Sequence, residues 1–204
     1  MSPIELLGLA ASVSLLAGWR LYLCVFATGL AMRLGWIGLP TNLEPLAALA
    51  NHWVIGAAAV GLVAELLADK VAWIDSAWDA VHSFIRPLGG ALLALAIVDA
   101  GDPAWQAAAF LLGGGGALLS HGAKASARAV VNSSPEPFSN VVVSTTEDVA
   151  TGGMLALAFA DPVAATAIAL ILVCIAIVLL IQARRALKAL LRLRDKWLGP
   201  RQPD

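Results

Sequence analysis

Charged side chains are what this chain has least of. They make up 13% of its 204 residues, about half the ~25% of an ordinary soluble domain. A basic excess is also missing: 13 Lys and Arg stand against 14 Asp and Glu, for a net charge of -1. That balance argues against nucleic acid as a partner. Two cysteines, Cys24 and Cys174, lie in separate apolar runs. They are too few for a disulfide framework and are read as small buried hydrophobes. The N-terminus carries Glu5 and no early Lys or Arg, so a cleaved signal peptide is not expected. Serine nucleophile elbows, P-loops and zinc-protease helix motifs are absent as well. That lowers the expectation of an enzyme without removing it.

What is abundant is apolar. Hydrophobic residues fill 60% of the chain and the mean hydropathy is +0.83. Val163–Gln182 is a charge-free run of bilayer length. Ile4–Met32 is read as a second span, interrupted by Arg20. Trp53–Ala68 is a third and contains Glu65. Leu88–Val98 reaches spanning length only if its helix begins before Pro87. Trp105–Ser120 and Val141–Ala160 complete the set. The expected architecture is all-α: a polytopic helical membrane protein of about six transmembrane helices.

Basic residues set the expected orientation. Arg184, Arg185, Lys188, Arg192, Arg194, Lys196 and Arg201 follow the last span, which places that end in the cytoplasm. Six spans then put both termini there, in the cell inner (plasma) membrane. The outer connections, 34–51, 99–104 and 161–162, hold Glu44, Asp99, Asp102 and Asp161 and no Lys or Arg. The organisation is thus a transmembrane helical domain over 1–183 and a basic cytoplasmic tail over 184–204. The tail reads as an amphipathic helix lying against anionic lipid.

A shift of 63 residues brings Gly89-Gly90 onto Gly152-Gly153, Glu65 onto Arg128, Asp69 onto Asn132 and Ser76 onto Ser139. The match suggests a parallel two-helix internal repeat, each unit being two helices joined by a long polar connection. Chance would also produce so short a match.

The scarce charges are gathered in two segments. Asp75, Asp79, His82 and Arg86 are spaced 4, 3, 4 and fall within about 60° on a helix. They read as an interface stripe with internal salt bridges, as a functional polar wall, or, through the Asp79-x2-His82 spacing, as a metal site. Arg86-Pro87 is expected to turn the chain into the next span. His121, Lys124 and Arg128 share another helical face, suited to a phosphate, an anionic headgroup or acidic partners. Glu65 and Asp69 are one turn apart and are expected to neutralise Lys124 or Arg128. Arg20, mid-span, must find an acidic partner, Glu65 or Glu147 first. The two prolines of Ser133–Asn140 break the helix, and Ser139 or Asn140 is expected to cap the next one, placing Glu147 and Asp148 near the inner leaflet. Gly113–Gly116 lacks the residues of a phosphate loop. It reads as a close helix-packing face, as do Gly89-Gly90 and Gly152-Gly153, and Gly-rich faces could also join copies in a homo-oligomer.

Glu65-x3-Asp69-Lys70, Asp75-Ser76-x-Trp78-Asp79-x2-His82-x3-Arg86-Pro87, His121-x2-Lys124-x3-Arg128 and Asn132-x-Ser134-Pro135-Glu136-Pro137-x-Ser139-Asn140 resemble the membrane family known as domain of unknown function 4126. The resemblance covers roughly residues 5–160. It implies a multi-helix bacterial membrane protein and supplies no substrate or cofactor.

Three functions are therefore expected from the residues. The first is a transporter or channel for an ion or small polar solute, with a site open to the cytoplasm. It would be built from Arg20, Glu65, Asp69, Asp75, Asp79, His82, Arg86, His121, Lys124, Arg128 and Glu147. The second is a membrane-embedded enzyme or a lipid-headgroup or phosphate binder, with a metal at Asp79 and His82. The third is a structural membrane protein whose charges pair only with each other.

Overall fold

The computed structural model describes residues 2–132 and 137–171, and beyond them residues 174, 175, 177, 178, 181, 182 and 185. Among the described residues there are helices and no strands, as expected of an all-α chain. The basic tail from residue 186 onward and the Ser133–Glu136 string lie outside the described residues. The elements are α1 (Pro3–Ala17), α2 (Leu21–Arg33), a 3-10 helix (Glu44–Ala50), α3 (His52–Ala68), α4 (Ala72–Val98), α5 (Pro103–Asn132) and α6 (Pro137–Ala160). A further short apolar helix, α7, covers Pro162–Ile171.

By length and composition α4 is the one described helix that could cross a membrane. The 3-10 helix and α3 reach that length only together, and they are bent by 60°. α4 runs unbroken through Pro87, so the expected turn at Arg86-Pro87 does not form. The polar residues of 72–86 are its first half, not part of a long connection. Only residues 69–71 separate α3 from α4.

The largest departure is at the N-terminus. The run over 4–32 is two short helices, of 15 and 13 residues. α1 starts with a capping box, in which the Ser2 hydroxyl accepts from the Glu5 amide and the Glu5 carboxylate accepts from the Ser2 amide. It ends at Gly18, and Arg20 leaves helical geometry at φ -138°, ψ 78°. Its neighbours show its direction. Gly8 lies against Pro162 and Thr166 at the start of α7, whereas Gly18 lies against Ala117, Ser120 and His121 of α5. α2 then runs antiparallel to α3: Gly61 packs on the Tyr22 ring, Gly29 on Leu49 and Ile55, and Arg33 donates to the Ala50 carbonyl. α1 thus leads into the molecule and α2 leads out again.

Close approach of backbones makes the bundle tight around α1, α4 and α5. A side chain at Gly18 would run into Ser120 Oγ and the Ala117 carbonyl. One at Gly113 would meet Ala94 and the Gly90 carbonyl. Ser14 Oγ donates to the Gly90 carbonyl at 3.0 Å and Ser120 Oγ to the Leu15 carbonyl at 2.6 Å. Gly152 and Gly153 meet nothing within 4 Å, so they do not share the expected packing role. The apolar core joins Leu9 and Val13 to Ile97, Leu155, Ala158 and Ala165. Cys24 is buried, as expected; Cys174 is exposed.

Polarity is inverted relative to a water-soluble bundle. Arg20, Glu65, Asp69, Asp75 and Arg86 are wholly enclosed, whereas Trp53, Val60, Trp73, Phe84, Leu112 and Val149 stand outside.

At the far end of α4, Asp99 closes the fold. It takes the left-handed conformation at φ 44°, which Asp tolerates better than most residues. Its carboxylate accepts from the amides of Thr41, Asn42 and Leu43 at 2.6–3.1 Å and from the Thr41 hydroxyl at 3.0 Å. The loop before the 3-10 helix is thereby fixed to the end of α4.

Candidate functional site

The ionisable stripe of α4 faces inward along its whole length. Asp75, Asp79, His82 and Arg86 are buried, as their 4, 3, 4 spacing requires of one helical face. His121, Lys124 and Arg128 of α5 are buried opposite them. The end of α3 contributes Glu65 and Asp69, the turn between α1 and α2 contributes Arg20, and α6 contributes Glu147 and Asp148.

One half of the site surrounds Asp69. Arg20 is ion-paired with Asp69 and with Asp148, and Glu147 lies 3.8 Å from it. Lys124 reaches the same Asp69 carboxylate at 3.1 Å, Glu147 at 3.9 Å and the Trp19 carbonyl at 3.3 Å. The expected convergence of Asp69 with Lys124 is therefore present. Arg128 pairs with Asp75 at 3.0 Å and donates to the Asp69 carbonyl at 2.6 Å, a carbonyl that also accepts from Asn140. Lys70 closes the outer face of this half, 3.0 Å from Asp148 and 2.7 Å from Ser144 Oγ. Lys70 is 31% exposed and Asp148 22% exposed, so the network meets its surroundings here.

The other half surrounds Arg86. Its guanidinium donates to Glu65 of α3 at 2.9 Å, to Asp79 of α4 at 2.8 Å and to His121 Nδ1 of α5 at 2.7 Å. His121 Nε2 lies 3.0 Å from Ser83 Oγ. His82 stands aside from the ion pairs. Its ring stacks on Trp78, with centroids 4.3 Å apart, while Nδ1 meets the Trp78 carbonyl at 2.8 Å and Nε2 the Tyr22 hydroxyl at 3.1 Å.

Several expectations change. Arg20 takes Asp69 and Asp148 first, not Glu65 or Glu147, because the turn at Gly18–Arg20 aims it at the end of α3. Glu65 pairs with Arg86 instead of Lys124 or Arg128. Asp79 and His82 have other partners, and no group of three or more His, Cys, Asp or Glu among the described residues could hold a metal. α6 begins at Pro137 itself, the first-turn position that proline favours. Asn140 is inside that helix and bonds across to Asp69, so it caps nothing.

Sequence reasoning left Lys70, Asp148, Tyr22 and Ser83 out of the site. Lys70 and Asp148 are the immediate neighbours of Asp69 and Glu147 in the chain. Tyr22 is the single tyrosine of the chain, two residues from Arg20, which was a usable signal. Nothing in its local sequence marked Ser83.

A cavity of about 270 Å³ lies between α1, α5, α6 and α7, lined by Leu16, Trp19, Met154 and Ile168 with Ser12 and Thr151. None of its lining residues is ionisable. It adjoins the charge network at Trp19, whose carbonyl accepts from Lys124.

Among the described residues the network sets six carboxylates (Glu65, Asp69, Asp75, Asp79, Glu147, Asp148) against five cations (Arg20, Lys70, Arg86, Lys124, Arg128). Some hydrogen-bonding capacity is unused: Glu65 Oε2, Arg20 Nε, Arg86 Nε and Asn140 Oδ1 are buried without a protein partner. No curated protein and no solved structure matches this chain. The family described as Domain of unknown function (DUF4126) matches residues 7–182, and the chain belongs to that family.

Proposed function

We propose that this is a multi-pass inner-membrane protein that passes an ion or small polar solute through the buried charge network, with Lys70 and Asp148 at its cytoplasmic mouth. One observation carries the reading. Two half-length helices turn at Gly18–Arg20 inside the bundle and present a guanidinium to carboxylates of α3 and α6. Broken helices at membrane depth are tolerated where they line a cavity or are enclosed by protein, and transporters use them to build polar sites.

Energetics support function over stability. Burying ion pairs is often no more stabilising than apolar packing of the same volume, and ionisable groups in a membrane carry a cost of a few kcal/mol each on insertion scales. Eleven such groups in one network are a poor way to hold a small bundle together. The unused atoms on Glu65, Arg20 and Arg86 give the network room to exchange partners.

The proposed topology takes its sidedness from the helix directions. In this reading α3, α4, α5 and α6 cross the membrane, the apolar run 163–182 crosses back to the cytoplasmic face, and α1 and α2 form a re-entrant pair. α5 and α6, which are not apolar enough to cross alone, do so with their charges enclosed by the bundle. α7 leads to the basic tail. The positive-inside rule keeps the tail and the network mouth cytoplasmic. The N-terminus then lies on the opposite face, with the connections over 34–51 and 99–102, in place of the cytoplasmic N-terminus that a single span over 4–32 required.

The structural reading is the alternative with an observation behind it: each of the five network cations has a carboxylate within 4.0 Å. A phosphate or headgroup would have to displace one of these carboxylates, which weakens the binder reading.

Ion and proton flux through liposomes carrying the purified protein tests the proposal. D79N and K124A should abolish flux while leaving the protein folded, and R192A in the tail should not. Unfolding of both variants, together with no flux through the parent protein, would leave the charges as a structural network.

A further inference from the structure

We propose that the proton is a ligand of this site, that His121 Nδ1 binds it, and that the Arg86–His121 contact is the switch it throws. This deepens the transport reading by naming what the site handles, but the switch itself can be tested without transport.

The argument begins with hydrogen-bond donors. A guanidinium has donors only. Arg86 Nη1 lies 2.7 Å from His121 Nδ1, so Nδ1 is the acceptor and carries no hydrogen. Ser83 Oγ donates its own hydrogen to the Asp79 carbonyl at 2.9 Å and is free to accept from His121 Nε2 at 3.0 Å. Both contacts select one species, a neutral imidazole with its hydrogen on Nε2.

A proton added to Nδ1 would turn that acceptor into a donor facing another donor, with two cations in contact. Proton binding and the Arg86–His121 hydrogen bond therefore exclude each other. The proton comes from water, the Nδ1 lone pair takes it, and Arg86 loses that partner.

Each displaced group has somewhere to go. Arg86 is held at the same time by Glu65 and Asp79. Glu65 Oε2 and Arg86 Nε are both buried without a partner, so a fuller Arg86–Glu65 pairing is open to the displaced guanidinium. The Asp79 carboxylate, relieved of Arg86, becomes the acceptor for the new Nδ1–H. Because Arg86 joins α3, α4 and α5, the exchange alters the contact among three helices.

The groups facing His121 are compatible with this exchange. α4 brings Asp79 and Arg86, and α3 brings Glu65 behind Arg86. Lys124 lies one turn along α5, with Glu147 of α6 beyond it. α1 brings the Gly18 backbone against the His121 amide. His82 is not part of the switch, since Trp78 and Tyr22 hold both its nitrogens.

Nitrogen NMR on the full chain in lipid nanodiscs, with labelled His and Arg, tests the proposal. The chain has three histidines, so an H52Q/H82Q variant leaves His121 alone and assigns it without altering it. The expected result is a neutral Nε2–H imidazole that, on acidification, titrates in the same step in which the Arg86 guanidinium signal moves. In H121Q the Arg86 step should vanish. A neutral Nδ1–H tautomer overturns the proposal, as does His121 titration with Arg86 silent, or no His121 titration over the pH range in which the protein stays folded. Proton flux in liposomes separates the two readings: the coupled step without flux keeps the switch and defeats transport, whereas flux without the coupled step does the reverse.

Discussion

Arg20 and Asp69, 49 residues apart, form a fully enclosed ion pair that joins the turn between α1 and α2 to the residue ending α3. The pair ties the one charged residue in the middle of a long apolar run to the charge network. Arg20 also holds Asp148, so it spans helices from three parts of the chain.

Removing it leaves buried carboxylates behind. Arg20→Ala should lower unfolding free energy in mild detergent by about 3–5 kcal/mol, the range for breaking one partner out of a buried pair. Lys124 and Lys70 still neutralise Asp69 and Asp148 in part, which favours the lower end. R20A/D69N should recover part of the loss. An alanine variant as stable as the parent would show that Arg20 is not needed in the interior.

Glycine substitutions should separate by position. Gly18→Ala and Gly113→Ala push a methyl group into backbone and side-chain atoms of a neighbouring helix, an overpacking worth about 1–3 kcal/mol. Gly115→Ala meets nothing within 4 Å and should be neutral or stabilising by up to about 1 kcal/mol, through helix propensity. Thermal unfolding of the three variants checks the order, and equal behaviour would contradict the described approach of α1, α4 and α5.

The inward stripe of α4 was legible because helical period alone fixes which of residues 75, 79, 82 and 86 share a face. Asp69 meeting Lys124 was legible because a buried charge needs a partner and both sit where apolar runs give way to polar residues. The break at Arg20 was not legible. Gly18 is its sole local signal, and what holds the turn is Asp69 and Asp148, far away in sequence. Pro87 misled for a related reason: proline weakens a helix locally, but the burial of Arg86 and the packing of Gly89 and Gly90 keep α4 continuous. The choice of Asp148 over Glu147 depends on the rotation of α6, which a string of adjacent acids does not reveal.

The Asp99 clasp should be acid-sensitive. Burial on its own would raise this carboxyl, but hydrogen bonds from the amides of Thr41, Leu43 and Asn42 and from the Thr41 hydroxyl outweigh it and hold it below the ordinary carboxylate range. A folded value below the unfolded one means the contribution is complete above the ordinary carboxylate pKa and is lost as pH falls through the folded value. The protection of the Asn42 and Leu43 amides, relative to their intrinsic exchange at each pH, should therefore be high at neutral pH and fall only below about pH 4. Asp99→Asn, which also tolerates the left-handed backbone, should show fast exchange at neutral pH and no acid step. Unchanged protection in D99N would assign the loop's order to other contacts.

Sidedness gives the sharpest test of the re-entrant pair. α1 leads toward the network from the end where Gly8 packs on Pro162, and the loop clasped by Asp99 lies at the end of α4. Single cysteines in a C24A/C174A background make the comparison direct. S2C and N42C should react with a membrane-impermeant thiol reagent from the same face. A127C, exposed near the other end of α5, should react from the opposite face. If S2C labels with A127C instead, the chain crosses the whole membrane between residues 2 and 42. Arg20 would then lie in a continuous span, and the turn that carries the transport proposal would be lost with it.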